Sequence, residues 1–291
     1  MTRPQTNAGP MALTSDGRDN LNFSVVVACN DDRVLHTSLS SSPGIASARE
    51  FVVKRGFPSA GLAYNAGLRE ATGEIVVFAH QDVYLPSGWL NSLARDVRIL
   101  TRLDPNWGVL GVFGVTSAGV RVGHLYSTGL KGVVGQPFPR PTEVVSLDEV
   151  VLILRRNSGL KFDERLPGFH HYGTDICLEA KRNGMKAFAF DAFCVHNSNG
   201  IVRLPMAFWR SYFYMRKKWR TQLPVLTNIL PITLVGWPVA NYFLRTAWSS
   251  FRNIEKAGQR HADPAALFQT LPQTGQIKIV HPKEDQVVPE S

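Results

Sequence analysis

Between residues 22 and 200, short apolar runs alternate with stretches of helical spacing. Residues 23–29 (FSVVVAC) form a Val-rich run with almost no polar interruption, the pattern of a strand covered on both faces. Residues 60–71 (AGLAYNAGLREA) are spaced as a helix, with Gly73 as the stop signal, and residues 74–79 (EIVVFA) give a second buried strand. Helical spacing returns over 89–100. Further apolar runs stand at 108–113, 149–154 and 186–195, the last preceded by a helix from about 174 to 183. Apolar strands separated by helices predict an α/β domain with a mixed, mostly parallel central sheet flanked by helices.

The flanks change character. Residues 1–20 and 259–291 are polar with scattered Pro, Gln and charges, and read as a disordered leader and a disordered tail. The α/β domain is thereby set at 21–202, with a distinct segment at 203–258. The chain of 291 residues is 44% hydrophobic, enough for a substantial core, which excludes wholesale disorder. Cys29, Cys177 and Cys194 are odd in number and form no C-x-x-C pair. A disulfide framework and a cysteine-rich zinc site are excluded, and a reducing compartment is expected. No apolar signal region is visible at the N-terminus, so a cytoplasmic protein is expected.

In open α/β sheets, ligands sit beyond the carboxyl ends of the strands. Three polar clusters stand at such positions: Cys29-Asn30-Asp31-Asp32, His80-Gln81-Asp82 and Cys194-Val195-His196-Asn197. An acid held at the end of a buried strand suits a hard divalent cation that neutralises phosphates. Asp82 is therefore either a metal ligand or a helix cap, and Ser87 is the better placed residue for the cap. Asp175 follows Thr174, which reads as a helix N-cap. In that first turn a carboxylate stays ionised and either stabilises the helix or serves as a general base. His196 is either a structural histidine or the completion of a metal site begun by Asp82. The adjacent His170 and His171 read as a loop pair. Cys194 and His196 lack a third, orienting group, which argues against a thiol nucleophile. The chain has no phosphate-binding P-loop, no G-x-G-x-x-G after its first strand and no G-x-S-x-G elbow.

In order, FSVVVACND (23–31), AGLAYNAGLREATGEIVVFAHQDVYLPSGWL (60–90), EVVLILRR (149–156) and FDERLPGFHHYGTDICLEAKRNGMKAFAFDAFCVHNSNG (162–200) resemble a family-2 glycosyltransferase of GT-A fold. The HQDV form is similar to a subgroup in which His-Gln-Asp stands where most relatives have D-x-D. The resemblance implies a GT-A-like nucleotide-diphospho-sugar transferase that inverts the anomeric configuration. It implies that Ala28, Cys29, Asn30 and Asp31 line the nucleotide pocket, and that Asn65 and Gln81 contribute to donor binding. It also implies that Asp82 and His196 bind Mn²⁺ or Mg²⁺, and that Asp175 is the catalytic base. A nucleotidyltransferase would want a Gly- and Lys/Arg-rich loop after its first strand, which CNDDRVLHTSLSSS lacks.

The net charge of +9 is concentrated. Residues 203–220 hold Arg203, Arg210, Arg216, Lys217, Lys218 and Arg220 without an acid, interleaved with Phe208, Trp209, Tyr212, Phe213, Tyr214 and Trp219. This reads as a basic-aromatic helical appendage for an anionic partner. Residues 221–244 are uncharged throughout but carry Pro224, Pro231 and Pro238. The pair of segments reads as a peripheral membrane element over 203–245, set at the inner face of the cell membrane and facing a glycan or lipid-linked acceptor. A cap on the α/β core is the competing reading. Two alternatives stand beside the enzyme: a catalytically degenerate relative, or a polyanion-binding module built on 203–220. No specific nucleic acid is expected as a partner.

Overall fold

The computed structural model describes residues 21–201, 203–249 and 258–271. The leader at 1–20 and the tail beyond residue 271 lie outside the described residues. The first part of the chain runs β1 (Phe23–Cys29), α1 (Asp32–Thr37), β2 (Glu50–Arg55), α2 (Ala60–Glu70), β3 (Ile75–His80), β4 (Val83–Tyr84) and α3 (Trp89–Leu103). The middle holds β5 (Trp107–Gly111), β6 (Phe113–Val115), β7 (Arg121–Ser127), β8 (Gly132–Gly135), β9 (Thr142–Val144), β10 (Ser146–Leu147) and β11 (Val151–Arg155). Then follow α4 (Tyr172–Arg182), β12 (Lys186–Ala189), β13 (Val195–His196), α5 (Met206–Lys218), α6 (Trp237–Ser249) and α7 (Pro264–Thr270).

The main sheet is mixed, in the order β2-β1-β3-β11-β5-β12-β9, and β1 runs parallel to both β2 and β3. Its central strands β1, β3, β11 and β5 are almost wholly apolar because each feeds two cores. Val25, Val27, Val77, Val151 and Ile153 face the side covered by α3, with Leu90, Leu93 and Val97. Val26, Val76, Phe78, Leu152 and Leu154 face the opposite side, with Tyr64 of α2, Ile176 of α4 and Tyr212 of α5. Gly67 lets α2 approach this second face: a Cβ there would stand 2.2 Å from the Val26 methyl. A second sheet, in the order β10-β6-β7-β13-β4, lies beside the first, with β8 paired to β7.

Several expectations need correction. The apolar run at 186–195 is two strands in different sheets: β12 ends at Ala189, and β13 pairs instead with β4 and β7. Strand β2 was not anticipated. Its sequence EFVVKR is half-buried at a sheet edge and so shows no continuous apolar run. Gly88, in the left-handed conformation (φ 79°), is the N-cap residue of α3, so Ser87 does not cap it. Helix α4 starts before Thr174, with His171 at its N-cap, and the Thr174 hydroxyl meets Ser146 Oγ at 2.8 Å.

The tail also departs from the disorder expected of it. Residues 258–271 pack on the domain through a reciprocal bracket between Asn197 and His261 and through Phe268 against Tyr84. Asp263 caps α7 by accepting from Ala265 N and Ala266 N, both at 3.0 Å.

The segment at 203–245 divides. In α5, Phe208, Trp209, Tyr212, Met215 and, just beyond, Trp219 recur on one face and are buried against the sheet. Most of its aromatic rings are core, so the basic-aromatic stripe offers no stacking platform for a polyanion. After a single 3-10 turn at Arg220–Gln222, residues 223–236 form no helix; they turn back through a bridge between Val225 and Ile232. Among the described residues no helix is long and apolar enough to cross a membrane.

Candidate metal and donor site

Strands β1, β2 and β3 are adjacent and parallel, so their carboxyl ends open on one side, where a cleft of about 290 Å³ lies. It is lined by Ala28, Cys29 and Asn30 around the end of β1, by Lys54, Gly56 and Phe57 around the end of β2, and by His80, Gln81 and Asp82 around the end of β3. Tyr64 and Phe169 complete the wall. Tyr64 is fixed from beneath by Phe78 and Phe162, with ring centroids at 5.2 and 5.4 Å. Such pairs are worth about 1 kcal/mol each beyond their buried area.

Gln81 ties two of the expected clusters together. Its side-chain oxygen accepts from Asn30 N (2.9 Å) and Asp31 N (3.1 Å), and its amide donates to Asn30 Oδ1. The rest of the expected set behaves differently. Asp31 caps α1, accepting from Arg33 N and Val34 N, and does not line the cleft. Asn65 is buried one position past the cleft wall. It brackets the Phe162 backbone, donating to its carbonyl at 2.9 Å and accepting from its N–H at 3.0 Å. In both, a neighbouring backbone group claims the side chain.

At one end of the cleft His80, Asp82 and His196 converge, with their ligand atoms within 4.8 Å of one another. Three devices set this geometry. His80 ends β3; Asp82 follows in the turn to β4; and antiparallel pairing of β13 with β4 puts His196 opposite Val83, with Asn197 N donating to Asp82 O at 2.8 Å. His80 Nδ1 and His196 Nε2 stand 4.0 and 3.5 Å from Asp82 Oδ1. The Tyr172 hydroxyl donates to the Glu149 carbonyl and therefore accepts from His80 Nε2 at 2.7 Å. That leaves the Nδ1 lone pair of His80 free on the Asp82 side.

Burial lowers the His80 pKa, with Asp82 in partial opposition. Burial acts the same way on His196, but the charge and hydrogen bond of Asp82 outweigh it and raise its pKa. Asp82 is pushed up by burial, yet His196, His80 and Arg260 together hold it well below the usual carboxylate range. Two imidazoles and one ionised carboxylate with open positions fit a divalent transition metal.

Arg260 is the residue that sequence reading missed. Its guanidinium donates to Asp82 Oδ2 at 3.2 Å and to the Asn197 carbonyl at 2.8 Å, across 178 residues of chain. Only the polar neighbourhood of Arg260-His261 in the tail could have signalled it.

Asp175 is a further correction. It lies in the first turn of α4, as expected, but its carboxylate faces α5 and lines neither cleft nor cavity. Lys218 Nζ bonds both of its oxygens, at 2.7 and 2.9 Å, and Trp219 Nε1 donates at 2.7 Å. The same ammonium reaches Asp163 at 2.8 Å and Glu179 at 3.0 Å. Asp175 thus anchors α5 to α4 and is buried away from the cleft.

A second, smaller cavity of about 20 Å³ is lined by Asp148, Glu149, His170, His171 and Thr174, among others. His171 Nδ1 donates to Ser211 Oγ at 2.8 Å, and burial lowers its pKa to about 3. Burial, reinforced by Asp148, raises the Glu149 carboxyl to about 8. A raised carboxyl contributes stability in full below its unfolded value near 4.5 and loses it as pH rises through 8. Glu149→Gln should therefore match the wild type at pH 5 and melt higher at pH 8.5, by roughly 5 °C. A gap in melting temperature that does not widen with pH would refute that burial effect.

No family model matches the chain. A protein of Fuscovulum blasticum described as ATP synthase subunits region ORF 6 is 30% identical over 167 residues, 54% of this chain and 64% of its own length. Among solved structures, GalNAc-T7 with UDP, GalNAc and Mn²⁺ superposes with a TM-score of 0.45 at 12% identity, over 72% of this chain and 52% of that one. Mannosyltransferase PcManGT from Pyrobaculum calidifontis, in complex with GDP-Man and Mn²⁺, gives 0.41 at 14%, over 86% and 69%. S. aureus TarS 1-349 gives 0.42 at 14%, over 70% and 66%. The chain thus spans just over half of GalNAc-T7 and less than two thirds of the Fuscovulum protein, and at these TM-scores the superpositions assign it no activity.

Proposed function

We propose that the protein is an inverting, metal-dependent glycosyltransferase of GT-A type that moves a sugar from a nucleotide-sugar donor to a hydroxyl group. The observation that carries this reading is the joint placement of cleft and trio. A nucleotide-sized cleft opens at the carboxyl ends of three parallel strands, and a two-histidine, one-carboxylate set stands at its end. The aromatic side chains of Phe57 and Phe169 would flank the base. His80, Asp82 and His196 would hold the cation, which when bound offsets charge on the departing diphosphate. Two imidazole donors favour Mn²⁺ over Mg²⁺, which prefers oxygen ligands and keeps its waters. Asp175 being committed to Lys218, Glu149 takes the role of base in this reading: it lines the second cavity, its backbone carbonyl meets the Tyr172 hydroxyl that bonds His80, and burial raises its pKa.

The test is a thermal-shift screen of nucleoside diphosphates on the purified protein, with and without Mn²⁺. A rise of several degrees for one base, only with metal, is expected. No shift with any nucleotide would overturn the reading and favour a catalytically degenerate protein.

The acceptor side of the reading is a lipid-linked acceptor at an anionic membrane surface. Phe213, Ile229, Leu234, Val235, Trp237 and Leu244 are all exposed between residues 213 and 244. Arg210 and Lys217 are exposed on α5 beside them. Apolar side chains bordered by cations fit an interfacial contact with anionic lipid. The protein should co-sediment with vesicles containing phosphatidylglycerol and be released by salt. Val235→Ser/Trp237→Ser should cut the bound fraction roughly tenfold. Equal binding of this double variant would exclude the surface.

A further inference from the structure

The trio contains a single carboxylate, and in this structure that carboxylate already has a cation beside it. Arg260 reaches Asp82 Oδ2 at 3.2 Å, and Asp82 lines the proposed donor cleft. The contact is built from both sides. Asn197, fully buried, spends its side-chain amide on the His261 backbone, accepting at 2.7 Å and donating at 2.9 Å. Arg260 N donates to Asn199 Oδ1 at 3.0 Å, and the Gly258 backbone pairs with Gly129 and Gly200. Gly258 lies so close to the domain that a Cβ would stand 1.9 Å from the Thr128 carbonyl. Further along, Phe268 packs on Tyr84 and Phe193. The backbone that carries Arg260 is therefore fixed, while its side chain is 29% exposed at the cleft end.

Charge sets what this arginine can do. With a dication bound, the carboxylate of Asp82 cancels only half of the metal charge, since His80 and His196 coordinate as neutral imidazoles. The metal then repels a guanidinium that sits on the same carboxylate. The combined surplus of metal and arginine is two positive charges, which matches the two negative charges of a nucleotide-sugar diphosphate. A guanidinium is permanently charged and its fork fits phosphate oxygens.

We propose that Arg260 is a diphosphate-binding residue, which pairs with Asp82 while the site is empty and passes to the phosphate oxygens when metal and donor enter. This rests on the donor-site reading above and adds to it a ligand supplied from the far end of the chain. It predicts opposite effects on two ligands. In the full-length chain, Arg260→Gln should bind Mn²⁺ alone more tightly, by roughly threefold, because a competing cation is gone. With Mn²⁺ present, the same variant should bind the preferred nucleoside diphosphate roughly tenfold or more weakly, and the corresponding nucleoside monophosphate with a smaller loss. Arg260→Lys should lie between, which separates charge from attachment of the segment.

Isothermal titration of Mn²⁺, then of UDP, GDP, TDP and ADP into the metal-loaded protein, reads all of these. Weakening of both ligands alike would make Arg260 a strut for the cleft rim and overturn the proposal. So would a diphosphate affinity within twofold of wild type, which would leave the donor site standing. If the wild-type protein binds none of the four nucleotides, the donor-site reading fails and this proposal falls with it.

Discussion

Replacing Lys218 by Met is expected to cost about 3–5 kcal/mol of stability, a large part of what holds a domain of this size folded. The ammonium is the shared counter-ion of Asp163, Asp175 and Glu179, with contacts of 2.8, 2.7 and 3.0 Å. Asp175 is 1% exposed, and burial already raises its pKa against the pull of Lys218. Removal of the cation leaves that carboxylate with only the Trp219 ring N–H, while Asp163 keeps the Tyr214 hydroxyl at 2.7 Å. Asp175→Asn should be far milder, because Lys218 retains two partners. Acid shifts the balance in a defined direction. Asp163 is depressed to about 2: burial pushes it up, but Lys218 and Tyr214 outweigh that. Its contribution is present above the unfolded value near 3.8 and is lost as pH falls toward 2. The gap between Lys218→Met and wild type should therefore narrow from pH 6 to pH 3 in urea melts. A loss below about 1 kcal/mol at pH 7 would show that the cluster is not what fastens α5.

Asp82→Asn is expected to weaken Mn²⁺ binding by roughly 100-fold or more, and to abolish metal-dependent nucleotide binding and sugar transfer with it. The amide has nearly the shape of the carboxylate, and Arg260 keeps the Asn197 carbonyl at 2.8 Å, so the fold should be kept at a cost of about 2–3 kcal/mol from the lost ion pairs with His196 and Arg260. Loss of function without loss of structure separates a ligand from a strut. Calorimetry with Mn²⁺ and a thermal melt on the same preparation read both quantities. Unchanged Mn²⁺ affinity in the variant would place the metal elsewhere, or remove it from the mechanism.

What was legible in the sequence was whatever is locally encoded. The apolar runs of β1 and β3 and the polar residues that end them could be read directly, since burial on both faces leaves no polar position until the strand exits the sheet. Those exits bring Asn30, Gln81 and Asp82 to one cleft. Edge strand β2 could not be read in this way, yet it supplies the Lys54 and Gly56 side of the cleft.

Asp175 shows the opposite failure. Its place at a helix start was legible, but its chemistry is decided by Lys218, 43 residues away. Polar identity in a sequence says that a group needs a partner; only the fold says which one. At 203–220 residue type alone could not say which side chains face outward, since Arg and aromatic residues alternate equally well on a binding surface and on a helix that packs with one face.

The junction between Asn197 and residues 258–261 also bears on biogenesis. Chains are made from the N-terminus, and domains fold as they emerge. The strands that carry His80, Asp82 and His196 can pair as soon as residue 196 has left the ribosome, but Asp82 then faces solvent without Arg260. Until the last part of the chain arrives, the nascent protein carries an exposed chelating trio with no internal occupant. Residues 258–261 therefore complete the site after its other parts are in place, and Arg260 reaches Asp82 only once they have docked on Asn197.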